Sequence, residues 1–203
     1  MNQNKEYIFR IFDLFFGTIL LLVLFPIILI CIVSIKLAEP TEPVFFKQKR
    51  VGKNGRYFWM YKLRTMHSNS EKKLEELTSE NEMSGPLFKI RNDPRVTSVG
   101  KILRKYSLDE LPQLVNVLKG EMGIVGPRPP LIAEYNAYTT IEKQRLTINP
   151  GCTGPWQVSG RNNVDFHEMV QLDLKYICER SIALNVVIIL KTIRRMTVDA
   201  DGC

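Results

Sequence analysis

At 203 residues with a formal net charge of +7, the chain has room for one globular domain, or for a membrane element plus a smaller domain, and no more. The positive balance points to an anionic partner: a phosphate-bearing substrate, an acidic lipid or a nucleic acid. Cys31, Cys152, Cys178 and Cys203 are scattered without a C-x-x-C pair, and His67 and His167 lie outside any ligand motif, which argues against a zinc site or a disulfide framework and fits a reducing compartment.

Residues 14–35 form an apolar run of 22 residues without a charge. At 1.5 Å per residue a straight helix of that length reaches about 33 Å, enough to cross a hydrocarbon core of about 30 Å. The run is too long for a cleaved signal peptide and lacks the small-residue cleavage pattern. Pro26 sits near its centre, removes a backbone donor and pushes Phe25 away from helical dihedrals. Both flanks are basic, with Lys5 and Arg10 before and Lys36, Lys47, Lys49, Arg50, Lys53 and Arg56 after. A span cannot satisfy the positive-inside bias at both ends. A re-entrant helix that breaks at Pro26 and returns to one face can. The alternative is a transmembrane helix with a proline kink, which bilayers tolerate.

After a proline-stiffened exit at 38–43, residues 44–66 alternate bulky and basic side chains around Asn54-Gly55, a strong turn signal that predicts a β-hairpin. Residues 70–84 read as a charged surface helix or a mobile loop.

The stretch 101–130, KILRKYSLDELPQLVNVLKGEMGIVGPRPP, carries the chemistry. Lys101, Arg104 and Lys105 share one helical face at i, i+3 and i+4, leaving Ile102, Leu103 and Tyr106 for a core. Asp109 and Glu110 follow at once, and the clustered cations are expected to lower their pKa values and keep both ionised. Pro112 opens the next helix, which closes at Gly120. One carboxylate of such a pair can attack or take a proton, and the other can hold Mg²⁺. Ser107-x-x-Glu110 also has capping-box spacing, so the acids could simply cap a helix, although a proline at 112 suits such a cap poorly. Prolines on both sides stiffen the segment that presents Arg128, whose planar guanidinium matches a phosphate at two points.

Three more helices are predicted. Residues 134–146 are amphipathic and stop before Asn149-Pro150-Gly151. Residues 164–180, capped by Asp165, place Phe166, Val170, Leu174 and Ile177 at helical spacing. Residues 182–196 join a short apolar run to Lys191, Arg194 and Arg195, suiting an interfacial helix over a buried one.

With these residues in view, the chain resembles the bacterial sugar transferases, the monotopic phosphoglycosyl transferases, over nearly its full length. RIFDLFFGTILLLVLFPIILICIVSIKL is similar to the family's membrane-inserting segment. YKLRTM, FKIRNDPRVTSVGKILRKYSLDELPQLVNVLKGEMGIVGPRPP and NPGCTGPWQVSGRN follow in the family's order. The resemblance implies that a nucleoside diphosphate sugar, a UDP-sugar, gives its sugar-1-phosphate to polyprenyl phosphate, releasing UMP and initiating glycan assembly. It implies that Asp109 is the nucleophile, forming an aspartyl phosphosugar. Glu110 would be its partner, with Mg²⁺ (or Mn²⁺) at the Asp109–Glu110 pair, and Arg104, Arg128 and Lys62 near the phosphates. The motif versions point to galactose or glucose over an acetamido sugar, for capsule or exopolysaccharide. Phe25 replaces the hydroxyl residue that many members carry before the membrane proline, and Asn185 stands where an acidic residue is common. The extra N-terminal domain of larger members is not expected.

The expected fold class is α+β, mostly helical. A re-entrant membrane helix over 1–37, broken at Pro26, would join a compact domain over 38–203 with interfacial helices and a small hairpin. The implied location is the cytoplasmic face of the bacterial inner membrane, among its lipids, with room for a homodimer. The rival functions are a membrane-anchored adaptor, and a nucleic-acid binder for which no recognised module is present.

Overall fold

The computed structural model describes residues 3–68, 70, 90, 93–159 and 165–197. The charged segment 70–84 falls almost wholly outside these residues, as do the starts and ends of several motifs. The described chain is mostly helical, with two small sheets.

Helix α1 spans Gln3–Ala38 as one 36-residue element. The expected break at Pro26 does not interrupt it. A proline costs the helix one backbone bond, and the bonded turns on either side carry it through. Its inward stripe, Phe9, Asp13, Gly17, Ile28, Cys31 and Ile35, follows helical spacing and is buried on both sides of Pro26. The first half packs on α3 (Gln113–Lys119) and β3 (Gly123–Val125). There Arg10 donates to the carbonyls of Val117 and Leu118, and Asp13 Oδ1 accepts the Ile124 N–H at 3.0 Å. The second half seats Cys31 and Ile35 against Leu63 and Leu103. The outward stripe is apolar and bare: Ile8, Ile11, Phe15, Leu22, Ile30 and Val33 are all exposed.

The hairpin forms where Asn54-Gly55 predicts it. Strands β1 (Phe45–Val51) and β2 (Tyr57–Leu63) pair antiparallel, with Arg50 opposite Phe58 and Phe46 opposite Lys62. Asn54 and Gly55 both take positive φ, at 55° and 78°, which matches the twist of the strands. Alternation then sorts the side chains. Lys47, Lys49, Tyr57 and Trp59 face solvent, with Lys47 over Trp59 and Lys49 over Tyr57, while Arg50, Phe58 and Met60 turn inward.

Helix α2 (Ser98–Lys105) is capped by Thr97, whose hydroxyl accepts the Gly100 N–H at 2.8 Å. Only Leu103 of its apolar residues is buried. Ile102 and Tyr106, expected in a core, are exposed, because the neighbouring α1 meets a single face of this short helix. Helix α3 begins after Pro112 and closes at Gly120 as expected. Asn116, fully buried on α3, donates to Trp59 O and Glu121 Oε2 and accepts the Tyr61 N–H, joining the helix to the free edge of β2.

Strand β3 pairs in parallel with β4 (Gly151–Thr153). The strand ends approach so closely that a Cβ on Gly151 would strike the Gly126 nitrogen. The predicted helix over 134–146 is divided into α4 (Ile132–Ala137), α5 (Thr140–Lys143) and a 3₁₀ turn at Gln144–Thr147. Tyr138 goes extended to reach the interior, and Thr139 recaps the chain through a reciprocal bond with Glu142. A short α6 (Pro155–Ser159) leads to α7 (Phe166–Glu179), where the Asp165 cap is realised at 2.7 Å to the Glu168 N–H. Helix α8 (Ile182–Thr197) buries Asn185 and Ile188 and exposes Val187, Leu190 and Ile193. The main core gathers Phe12, Phe58, Met60, Val117, Met122, Ile124, Val125, Ile148, Tyr176 and Ile188.

Candidate active site

The chain leaves α2 through Ser107, which adopts a left-handed conformation (φ 53°). For a residue with a Cβ this costs roughly 1–2 kcal/mol. The Ser107 side chain makes no capping bond, so the capping-box reading of Ser107 and Glu110 does not hold. Its turn instead throws the chain into a 3₁₀ turn, Leu108–Glu110, that sets the two acids beside the hairpin.

The two acids differ in surroundings. Asp109 is buried, its side chain 10% exposed, while that of Glu110 is 39% exposed. Lys62, reaching in from β2, places its Nζ 2.7 Å from Glu110 Oε1 and 3.9 Å from Asp109 Oδ2. Arg104 is held by a bond from its Nε to Thr65 Oγ1 at 3.0 Å and acts on Asp109 through space. Lys101 and Lys105 face solvent, so of the expected basic face only Arg104 serves the site.

Both carboxyls were expected to have lowered pKa values. Asp109 has the reverse. Burial pushes it up to about 6, against the pull of Lys62 and Arg104, and the Glu110 charge adds to the rise. A carboxyl raised in the folded state stabilises the fold at low pH, and that contribution is lost as pH climbs from about 4 through 6. In metal-free protein, a carbon-13 NMR titration of the Asp109 carboxyl should give a midpoint near 6. A midpoint at or below the ordinary aspartate value would mean that the two cations outweigh burial.

Arg128 lies on the loop after β3, fixed by bonds from Gly151 N to Pro127 O and from Val51 N to Pro130 O, both 3.0 Å. Its guanidinium pairs with Glu134, and the Glu110 charge reaches it through space. Arg50, buried on β1, donates through Nη1 to Pro129 O at 3.0 Å and leaves its Nε without a hydrogen-bond partner. Burial and the nearby Arg128 lower its pKa to about 9. The structure therefore gathers Lys62, Arg104 and Arg128 around the two acids, and adds Thr65, Arg50 and Glu134.

Sequence reasoning missed these three. Arg50 sits in a basic run whose neighbours are solvated, and only its alternation with Lys49 marks it as inward-facing. Glu134 stands where the sequence predicts only the start of an amphipathic helix. Neither histidine joins the site: His67 lies 2.6 Å from Glu39, and His167 is exposed on α7.

Such an arrangement can bind a multiply charged phosphate ester and offer it a buried carboxylate. Asp109 and Glu110 suit Mg²⁺, which binds through one or two carboxylates plus phosphate oxygens and keeps several waters. Among the described residues, no group of three or more His, Cys, Asp or Glu could cage a metal without a ligand's help.

Comparison with known proteins gives the same direction. A model for the bacterial sugar transferase family matches residues 4–199. The galactosyl transferase CpsE of Streptococcus agalactiae serotype III (strain NEM316) is 51% identical over 153 residues, covering 75% of this chain and 34% of CpsE. The exopolysaccharide production protein ExoY of Sinorhizobium fredii is 39% identical over 188 residues, covering 91% of this chain and 83% of ExoY. The undecaprenyl-phosphate galactose phosphotransferase of Salmonella typhimurium is 37% identical over 205 residues, covering 99% of this chain and 42% of that protein. The chain thus spans most of ExoY but under half of the other two. With the family model running from the start of α1 to the end of α8, the chain belongs to the bacterial sugar transferase family.

Proposed function

We propose that this protein is a phosphoglycosyl transferase that moves sugar-1-phosphate from a UDP-sugar to polyprenyl phosphate, releasing UMP, and so starts assembly of a capsule, exopolysaccharide or related glycan. The observation that carries the reading is Asp109, a buried carboxylate seated beside Lys62 and within reach of Arg104, with Glu110 open beside it. The names of the relatives, an undecaprenyl-phosphate galactose phosphotransferase among them, support a lipid-phosphate acceptor and galactose as the first sugar to try.

In the proposed reaction an Asp109 oxygen attacks the sugar-bearing phosphorus, and the bond to the UMP oxygen breaks. An oxygen of polyprenyl phosphate then attacks the same phosphorus, the acyl phosphate bond breaks, and the carboxylate is restored. Two displacements spare the protein from holding two anions face to face. Lys62, Arg104 and Arg128 neutralise phosphate oxygens, and Arg50 adds fixed positive charge behind Arg128. Asp109 and Glu110 would hold Mg²⁺ or Mn²⁺, which supplies Lewis-acid neutralisation at the phosphates. Desolvation makes Asp109 the stronger nucleophile once ionised, since a carboxylate of higher pKa is more basic.

The membrane assignment rests on α1 and α8. Both halves of α1 pack on the same body while its outer stripe is apolar, a pattern that favours a helix dipping into one leaflet over a span. Helix α8 adds exposed Val187, Leu190 and Ile193 close to Lys191 and Arg194, which suits anionic headgroups. In this reading the site works at the cytoplasmic face of the inner membrane, where nucleotide sugar and lipid carrier meet.

The test is UMP release by purified protein with Mg²⁺, polyprenyl phosphate and a panel of UDP-sugars. UDP-galactose or UDP-glucose should release UMP over many turnovers only when the lipid phosphate is in excess, and no more than one equivalent per enzyme without it. No release from any donor would overturn the reading.

A further inference from the structure

The Arg128 ion pair is lopsided. Its Nη1 and Nη2 donate to Glu134 Oε2 and Oε1 at 2.9 and 3.3 Å, yet the Arg128 side chain is 27% exposed and that of Glu134 only 3%. The carboxylate is sealed, while the arginine side chain paired with it keeps some exposed surface. Glu134 Oε2 also accepts the Leu131 N–H at 2.7 Å, so the acid is tied to the same segment that carries Arg128. Burial alone would raise the Glu134 carboxyl, but Arg128 and the Leu131 N–H hold it below the usual range, so it stays ionised.

A buried carboxylate in such a place either braces the loop or aims the arginine. The loop has other braces: Arg50 Nη1 to Pro129 O, Val51 N to Pro130 O, Gly151 N to Pro127 O and Gly126 N to Thr153 O. None of them touches the Arg128 side chain. Without Glu134 that long side chain would be free to sample many rotamers, and a ligand would have to order it on arrival. Two-point contact with a planar fork removes that freedom beforehand.

We propose that Glu134 is a positioning residue that fixes the Arg128 guanidinium through this two-point contact, leaving its remaining N–H donors oriented for a phosphate of the nucleoside diphosphate donor. The proposal rests on the function argued above for this site. Glu134 needs no contact with the ligand and acts through Arg128.

The experiment measures UDP binding by isothermal titration calorimetry to wild type, E134Q, R128Q and the double variant, beside thermal melts of each. R128Q and E134Q should each weaken UDP binding by about tenfold or more. The double variant should bind no more weakly than R128Q, because Glu134 has nothing left to orient. A loss in E134Q that multiplies with that of R128Q would overturn the proposal. So would an E134Q protein that melts earlier but binds UDP as wild type does. Should E134Q fail to fold, E134D keeps the charge but is one methylene short of the two-point contact. It should then show the same non-additivity with R128Q, and unaltered binding by E134D would count against the proposal. Wild type that binds neither UDP nor inorganic diphosphate would remove the underlying function and the proposal together, and that failure appears before any variant is made.

Discussion

Asp109→Asn is expected to abolish turnover, lowering UMP release on the order of 10⁴-fold or more, as loss of a catalytic nucleophile does elsewhere. Asparagine keeps the size and shape of the side chain but cannot attack phosphorus as a carboxylate does. The fold should survive the change. Asp109 is buried with its pKa raised to about 6, so its charge costs stability at neutral pH, and a neutral isostere should melt no earlier than wild type. A melting temperature held or raised alongside a dead enzyme would separate chemistry from folding. The covalent step has its own readout. Wild type incubated with donor labelled in the sugar, without lipid acceptor, should retain label after acid quench, and mass spectrometry should place it on the peptide carrying Asp109. Normal turnover by a folded Asp109→Asn protein would sink the nucleophile. Product formation with no adduct ever trapped at 109 would mean that lipid phosphate attacks the nucleotide sugar directly.

What the sequence made legible was local. Asn54-Gly55 sets positive φ at two successive residues, and the hairpin closes there. Asp165 caps the helix it precedes, and Pro112 and Gly120 bracket α3. These signals act within a few residues, so composition alone carries them. What depended on distant packing was hidden. Asp109 and its cations suggest a lowered pKa when only neighbours in sequence are weighed, and burial by the fold reverses the sign. The helix expected over 134–146 breaks because Tyr138 is wanted in the interior, where it meets Arg145. Ile102 is apolar yet bare, since α2 has only one packed face. Of the site, the acids with Lys62, Arg104 and Arg128 could be read from motif resemblance. Arg50 and Glu134 required the register of β1 against β2 and the approach of the 127–131 loop to the hairpin.

The largest loss of stability is expected far from the two acids, at Asp173→Ala. Arg145 and Asp173 are each 1% exposed, and Arg145 Nε and Nη2 lie 2.8 and 2.7 Å from Asp173 Oδ2, the second as an ion-pair contact. The pair joins the 3₁₀ turn after α5 to α7, and Arg145 Nη1 adds a bond to the Tyr138 hydroxyl. Removing one partner of a buried pair strands the other charge without water, at a cost of about 3–5 kcal/mol. For a chain of this size that lowers the melting temperature by about 10 °C or more. Replacing both with apolar residues of similar volume, as in Arg145→Met with Asp173→Leu, strands nothing and should cost less than either single change. The pH dependence carries a sign as well. Burial already raises the Asp173 carboxyl against the pull of Arg145, so Arg145→Met should raise it further, and that variant should be relatively more stable at pH 5 than at pH 8. Thermal melts of the two singles and the double at both pH values decide the matter. Single losses under 1 kcal/mol, or a double loss equal to their sum, would show that this charge pair is solvated in a way its burial denies.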